Sequence, residues 1–136
     1  MPDVAPEILD RLRAICGALP EAYEEPAWIG VRWRVRKRTF AHVACLEQGR
    51  PGPYEVAARP DRDNTVVTFR ASADEVNALG NSGPPFYFAG WGRNVIGIVL
   101  DGDTDWDEVS ELLTESFCVM APLKLVARVD RPSGTA

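Results

Sequence analysis

The side chains best suited to chemistry stand together in VRWRVRKRTF, residues 31 to 40. Arg32, Arg34, Arg36, Lys37 and Arg38 place five cations within seven positions. Guanidinium and ammonium groups at this density suit contact with phosphate or carboxylate oxygens, to which arginine can donate two parallel hydrogen bonds. The chain as a whole is acidic, at net -5, and setting those five aside leaves 10 basic against 20 acidic side chains. Charge segregated in this way suits a binding face, whereas solubility alone is served by mixing. The same residues have a structural use: lysine and arginine on an edge strand block sheet-to-sheet pairing.

Other motifs carry less. DGDTDWDE, residues 101 to 108, begins like a calcium loop, but an EF-hand needs Gly at its sixth position and Glu at its twelfth. Those places hold Trp106 and Leu112. Acidic residues there are better read as capping a helix and offsetting its dipole. GWGRNVIG has glycines that lead into a strand, the reverse of a dinucleotide fingerprint, so Gly90 and Gly92 are read as turn residues with positive φ. The single histidine, His42, has no nucleophile elbow to serve, and Cys45, three residues on along a strand, points to the other face. Glu21, Glu24 and Glu25 cluster without a general-base partner and are read as solvated surface. No catalytic residue, metal site or cofactor is expected.

These residues need elements to position them. Pro6 and the spacing of Ile8, Leu9, Leu12, Ile15, Cys16 and Leu19 predict a helix over 6–18, closed by Gly17 and Pro20. PEAYEEPAW reads as a turn-rich acidic link. Ile29, Val31, Trp33 and Val35 alternate with Arg32 and Arg34, a half-buried strand. Residues 38–46 form its hairpin partner, with Trp33 opposite Phe40 and Val31 opposite His42 if Arg36 and Lys37 make the turn. Neither residue readily takes the positive φ of a tight turn, so a longer or bulged turn is expected. Residues 47–64 read as a Pro- and Gly-rich loop, 65–70 as a strand and 72–80 as a short helix capped by Ser72 and Glu75. A short strand at 86–88, a central strand at 95–100 and a helix capped by Asp105 and Glu108 follow. Residues 123–129 read as a last short helical or extended segment. The order α-β-β-β-α-β-β-α predicts an α+β fold, an antiparallel sheet with helices packed on one face. Residues 1–129 are read as one domain and 130–136 as a frayed tail.

Three cysteines without a CxxC pair fit free thiols in a reducing cytoplasm. The acidic N-terminus is unlike a signal peptide. No apolar run approaches the roughly 20 residues of a membrane helix, so no membrane partner is expected.

ALPEAYEEPAW followed by VRWRVRKRTFAHV resembles the N-terminal half of the MmcQ/YjbR-like proteins. GRNVIGIVLDG and ELLTESFCVMAPLKLVARV resemble that family's last strand, closing helix and Ala-Pro-x-x-Leu stretch. The resemblance implies a CyaY-like, or frataxin-like, fold and a double-wing arrangement for DNA, with no defined biochemical role. Carried over position by position, the family's basic residues correspond to Arg38, Arg70, Arg93 and Lys124. Many relatives have a lysine pair before the last strand where this chain has only Arg93, which weakens a second wing. The basic turn Arg36-Lys37 strengthens the first.

The leading expectation is a non-enzymatic domain that contacts DNA phosphates through Arg32, Arg34, Arg36, Lys37 and Arg38, with Arg93 and Lys124 as weaker contributors. Two alternatives stand beside it. One is an interaction module that pairs its basic hairpin with an acidic partner, including another copy of itself. The other is a small-molecule binder with a cleft lined by Tyr54, Tyr87 and Trp91.

Overall fold

A computed structural model of the chain describes residues 4–46, 63–90, 92 and 94–129. The expected loop over 47–64 lies outside the described residues up to position 62, as do Tyr54, Trp91, Arg93 and the expected tail. The elements are α1 (Pro6–Cys16), β1 (Tyr23–Pro26), β2 (Val31–Val35), β3 (Arg38–Leu46), β4 (Asn64–Arg70), α2 (Ala73–Gly80), β5 (Phe86–Phe88), β6 (Val95–Leu100), α3 (Trp106–Met120) and α4 (Leu123–Val126). The six strands form one antiparallel sheet in the order β1-β2-β3-β4-β6-β5.

The α+β class with helices on one face holds, and the expected order needs two corrections. The acidic link contains strand β1, which pairs along β2 from Tyr23↔Arg34 to Pro26↔Val31. The closing segment forms a separate short helix, α4. The N-cap half of each expected capping box forms. Ser72 Oγ accepts from the Glu75 N–H at 3.2 Å, and one Asp105 carboxylate oxygen accepts from the N–H groups of Asp107 and Glu108 at 3.1 Å each.

Alternation sorts the strand side chains onto two faces. Trp33, Val43, Val67, Phe69, Ile96 and Ile98 face the helices and form the main core with Leu12 and Cys16 of α1 and Val109, Leu113 and Phe117 of α3. Phe40 meets Phe117 edge to face, with ring centroids 5.4 Å apart. Each such fully buried side chain contributes about 1.5–3 kcal/mol. The opposite face carries a row in direct register, Glu25, Arg32, His42, Thr68, Gly97 and Tyr87. Tyr87 lies flat over Gly97, where a Cβ would come within 2.2 Å of its ring.

The hairpin register differs from the expected one. Val35 pairs with Arg38 and Arg34 with Thr39, but beyond a bulge Trp33 pairs with Ala41 and Val31 with Val43. Phe40 is the extra residue. The slip keeps both Phe40 and Ala41 buried. It also makes Arg32, rather than Val31, the cross-strand neighbour of His42.

Candidate functional site

The β2–β3 turn is tight, with φ of 48° at Arg36 and 65° at Lys37, the positive values of a two-residue hairpin turn. Side-chain contacts offset the cost of left-handed backbone at two non-glycine residues. The Arg34 guanidinium donates to the Lys37 carbonyl. Arg36 donates from Nε and Nη2 to the two carboxylate oxygens of Glu21, at 2.8 and 3.1 Å.

Strand β1 brings an acidic complement against the basic strand. Its two glutamates point to opposite faces. Glu24 turns to the helix side and accepts two hydrogen bonds from Arg13, at 2.9 and 3.0 Å, tying α1 to the sheet edge. Glu25 turns to the open side and pairs with both Arg32 and Arg34, the latter at 3.1 Å. The three acidic residues are therefore engaged in ion pairs. Of the five hairpin cations, Arg32 and Arg34 share one carboxylate and Arg36 takes another. Lys37 and Arg38 are exposed and make no ion pair among the described residues.

The hydrogen bonds from Arg36 hold the Glu21 carboxyl below its ordinary range, and Lys124 and Arg128 of the C-terminal segment act on it in the same direction. The fold thus brings Lys124 close enough to the Arg36–Glu21 pair to act on the same carboxylate. It adds Arg128, which sequence reasoning missed. That residue's only signal was its place four residues after Lys124 in the closing segment 123–129, and it lies just beyond the end of α4. Arg93 lies outside the described residues. Tyr87 is buried in a small cluster with Val66 and Val99 on the open face; Tyr54 and Trp91, the other two residues of the expected cleft, lie outside the described residues.

A family model described as YjbR matches residues 17–119. The chain belongs to the YjbR family. A crystal structure of a protein from Pseudomonas syringae is similar over 86% of this chain and 99% of that one, at 16% identity and a TM-score of 0.64. That likeness carries the fold. No curated protein matches the chain significantly. Among the described residues of this YjbR-family chain, no helix is long and apolar enough to cross a membrane.

The acidic clamps make stability depend on pH. Burial pulls the Glu25 carboxyl upward, but Arg32 and Arg34 outweigh it and hold Glu25 below its ordinary value. The Arg13 hydrogen bonds hold Glu24 down as well. A carboxylate whose pKa is lower folded than unfolded adds stability above its unfolded value, near pH 4.3. That contribution is lost as pH falls through the depressed folded value. Melting temperatures of the native protein and Glu25→Gln should therefore differ at neutral pH and converge in acid. Parallel curves down to about pH 3 would count against the clamp.

Proposed function

We propose that this protein is a small non-enzymatic domain that contacts DNA phosphates with the basic end of its β2–β3 hairpin. The observation that supports this reading is a charge surplus. Five cations, Arg32, Arg34, Arg36, Lys124 and Arg128, act on two carboxylates, Glu21 and Glu25, and Lys37 and Arg38 stand exposed at the turn between β2 and β3. The contact set shifts from the one expected. Lys37, Arg38, Lys124 and Arg128 lead, because three of the hairpin arginines already hold carboxylates. Four phosphate contacts correspond to a log–log salt slope of about -4, so binding is weak at physiological salt.

Fluorescence anisotropy with a labelled duplex, repeated across a salt series, tests this. Glu21→Gln releases Arg36 and removes the anion between Lys124 and the hairpin. It should tighten binding and steepen the slope by about one. An absence of binding at tens of micromolar protein in low salt would end the proposal, and so would a Glu21→Gln protein that binds no better than the native one.

A further inference from the structure

We propose that the open face of the sheet holds a second site, for a small planar aromatic anion of the nucleoside monophosphate class. A cavity of about 400 Å³ lies there, lined by Trp28, Arg32, Thr39, His42, Thr68 and Arg70 among others. Its volume falls within the range of small-molecule sites. Its lining holds none of Lys37, Arg38, Lys124 and Arg128, which lead the contact with DNA, and shares Arg32 with the hairpin charge cluster.

Three observations define the occupant. First, Trp28 is 97% exposed at the tip of the β1–β2 loop, yet the loop beneath it is firmly seated. The Ala27 N–H donates to the Gly30 carbonyl at 3.1 Å, Gly30 lies flat against the β3 backbone, and His42 Nε2 meets the Ile29 carbonyl at 2.5 Å. A bare indole carried on a seated loop is a stacking platform that a planar ring can use without ordering the backbone beneath it.

Second, the floor is cationic. Arg32 and Arg34 share the single carboxylate of Glu25, so one positive charge on this face is uncompensated by that pair. The Arg32 Nε is shielded from water and has no hydrogen-bond partner among the described residues. A shielded donor of this kind calls for an acceptor. Arg70 adds a second guanidinium to the wall.

Third, the remaining polar groups suit a sugar. Thr39 and Thr68 carry hydroxyls that both donate and accept. A carbonyl can only accept, so His42 Nε2 carries the proton in its bond to Ile29. In the tautomer protonated only at Nε2, Nδ1 offers a lone pair. An aromatic wall, two guanidiniums and three hydroxyl or imidazole groups match a base, a phosphate and a ribose.

Titration of the native protein with AMP and with dTMP tests the site, read by isothermal calorimetry in every variant and also by quenching of the exposed Trp28 emission wherever Trp28 is present. The expected result is a saturable response to at least one of them in the millimolar range or below. Adenosine and inorganic phosphate, tested alone, should each bind about tenfold more weakly, a loss of about 1.4 kcal/mol. Trp28→Ala and Arg32→Met should each lose about tenfold or more while retaining their melting transitions. With one phosphate rather than four, nucleotide affinity should fall far less with salt than duplex affinity does. Nucleotide binding without duplex binding would sustain this site and sink the hairpin reading, and the reverse outcome would do the opposite. No saturable response to either nucleotide overturns the site. So does a calorimetric affinity unchanged in Trp28→Ala, or a native Trp28 signal that shifts with protein concentration before any nucleotide is added.

Discussion

Replacing Gly30 with alanine should destabilise the protein by about 3–5 kcal/mol and displace the β1–β2 loop. Gly30 holds φ at +73°, and a Cβ there would stand 1.9 Å from the Val43 carbonyl oxygen and 2.9 Å from its carbon. The obstacle is backbone of β3, which lies between β2 and β4 and cannot yield as a side chain would. The left-handed conformation alone costs an alanine roughly 1–2 kcal/mol, and relief of the clash requires the loop to lift. Lifting breaks the bond between His42 and Ile29, moves Trp28 off the open-face cavity and loosens β1 with its two glutamate clamps. Gly83→Ala is the control. Gly83 has φ of +86° but nothing within 4 Å of its would-be Cβ, so it should show only the conformational cost. Urea denaturation of both variants separates the two contributions. A Gly30→Ala protein no less stable than Gly83→Ala would mean that the loop does not sit on β3.

That loop also marks where sequence reading ran out. Strands with a period-two pattern and helices with a marked cap were legible: β3 begins at Arg38 and ends at Leu46 as expected, and Asp105 starts α3. These signals are local, because alternation and capping need only neighbouring residues. Strand β1 is four residues, YEEP, with no apolar alternation and a terminal proline. Its strand character comes from pairing with β2, a contact that local propensity does not encode. One signal was available. Adjacent glutamates in an extended segment reach opposite faces, and each then met an arginine, from α1 on one side and β2 on the other.

The hairpin cluster was legible as a concentration of charge but not as a partnered one. Linear distance hides the partners, since Arg36 and Glu21 are 15 residues apart. The bulge was hidden for a related reason. A one-residue slip is silent in an alternating pattern until a doublet breaks it, and the doublet here is Phe40-Ala41. The open-face cavity was invisible because its lining comes from separate segments, including a loop and strands β2, β3 and β4, and converges only through register. His42 and Thr68 are unremarkable in the sequence; the ladder makes them neighbours.

The bulge at Phe40 also explains a buried hydroxyl, and with it the second large effect. Ala41 pairs with Phe69, so the next rung of the β3–β4 ladder would join Phe40 and Arg70. Ser116 of α3 occupies that rung. Its Oγ accepts from the Arg70 N–H at 2.7 Å and donates to the Phe40 carbonyl at 2.6 Å. Ser116 is fully buried, so water does not replace it without a cavity opening. Ser116→Ala removes both the acceptor and the donor, and stripping two interior backbone groups of a partner costs about 2–5 kcal/mol together. Closing the gap with a direct rung would draw Phe40 away from Phe117 and exchange one loss for another. The variant should unfold at a markedly lower urea concentration, and its Arg70 amide should exchange faster. Ser72→Ala removes an exposed cap and should cost about 1 kcal/mol. If Ser116→Ala costs no more than that, the two strands close without the hydroxyl, and α3 is fixed to the sheet by apolar packing alone.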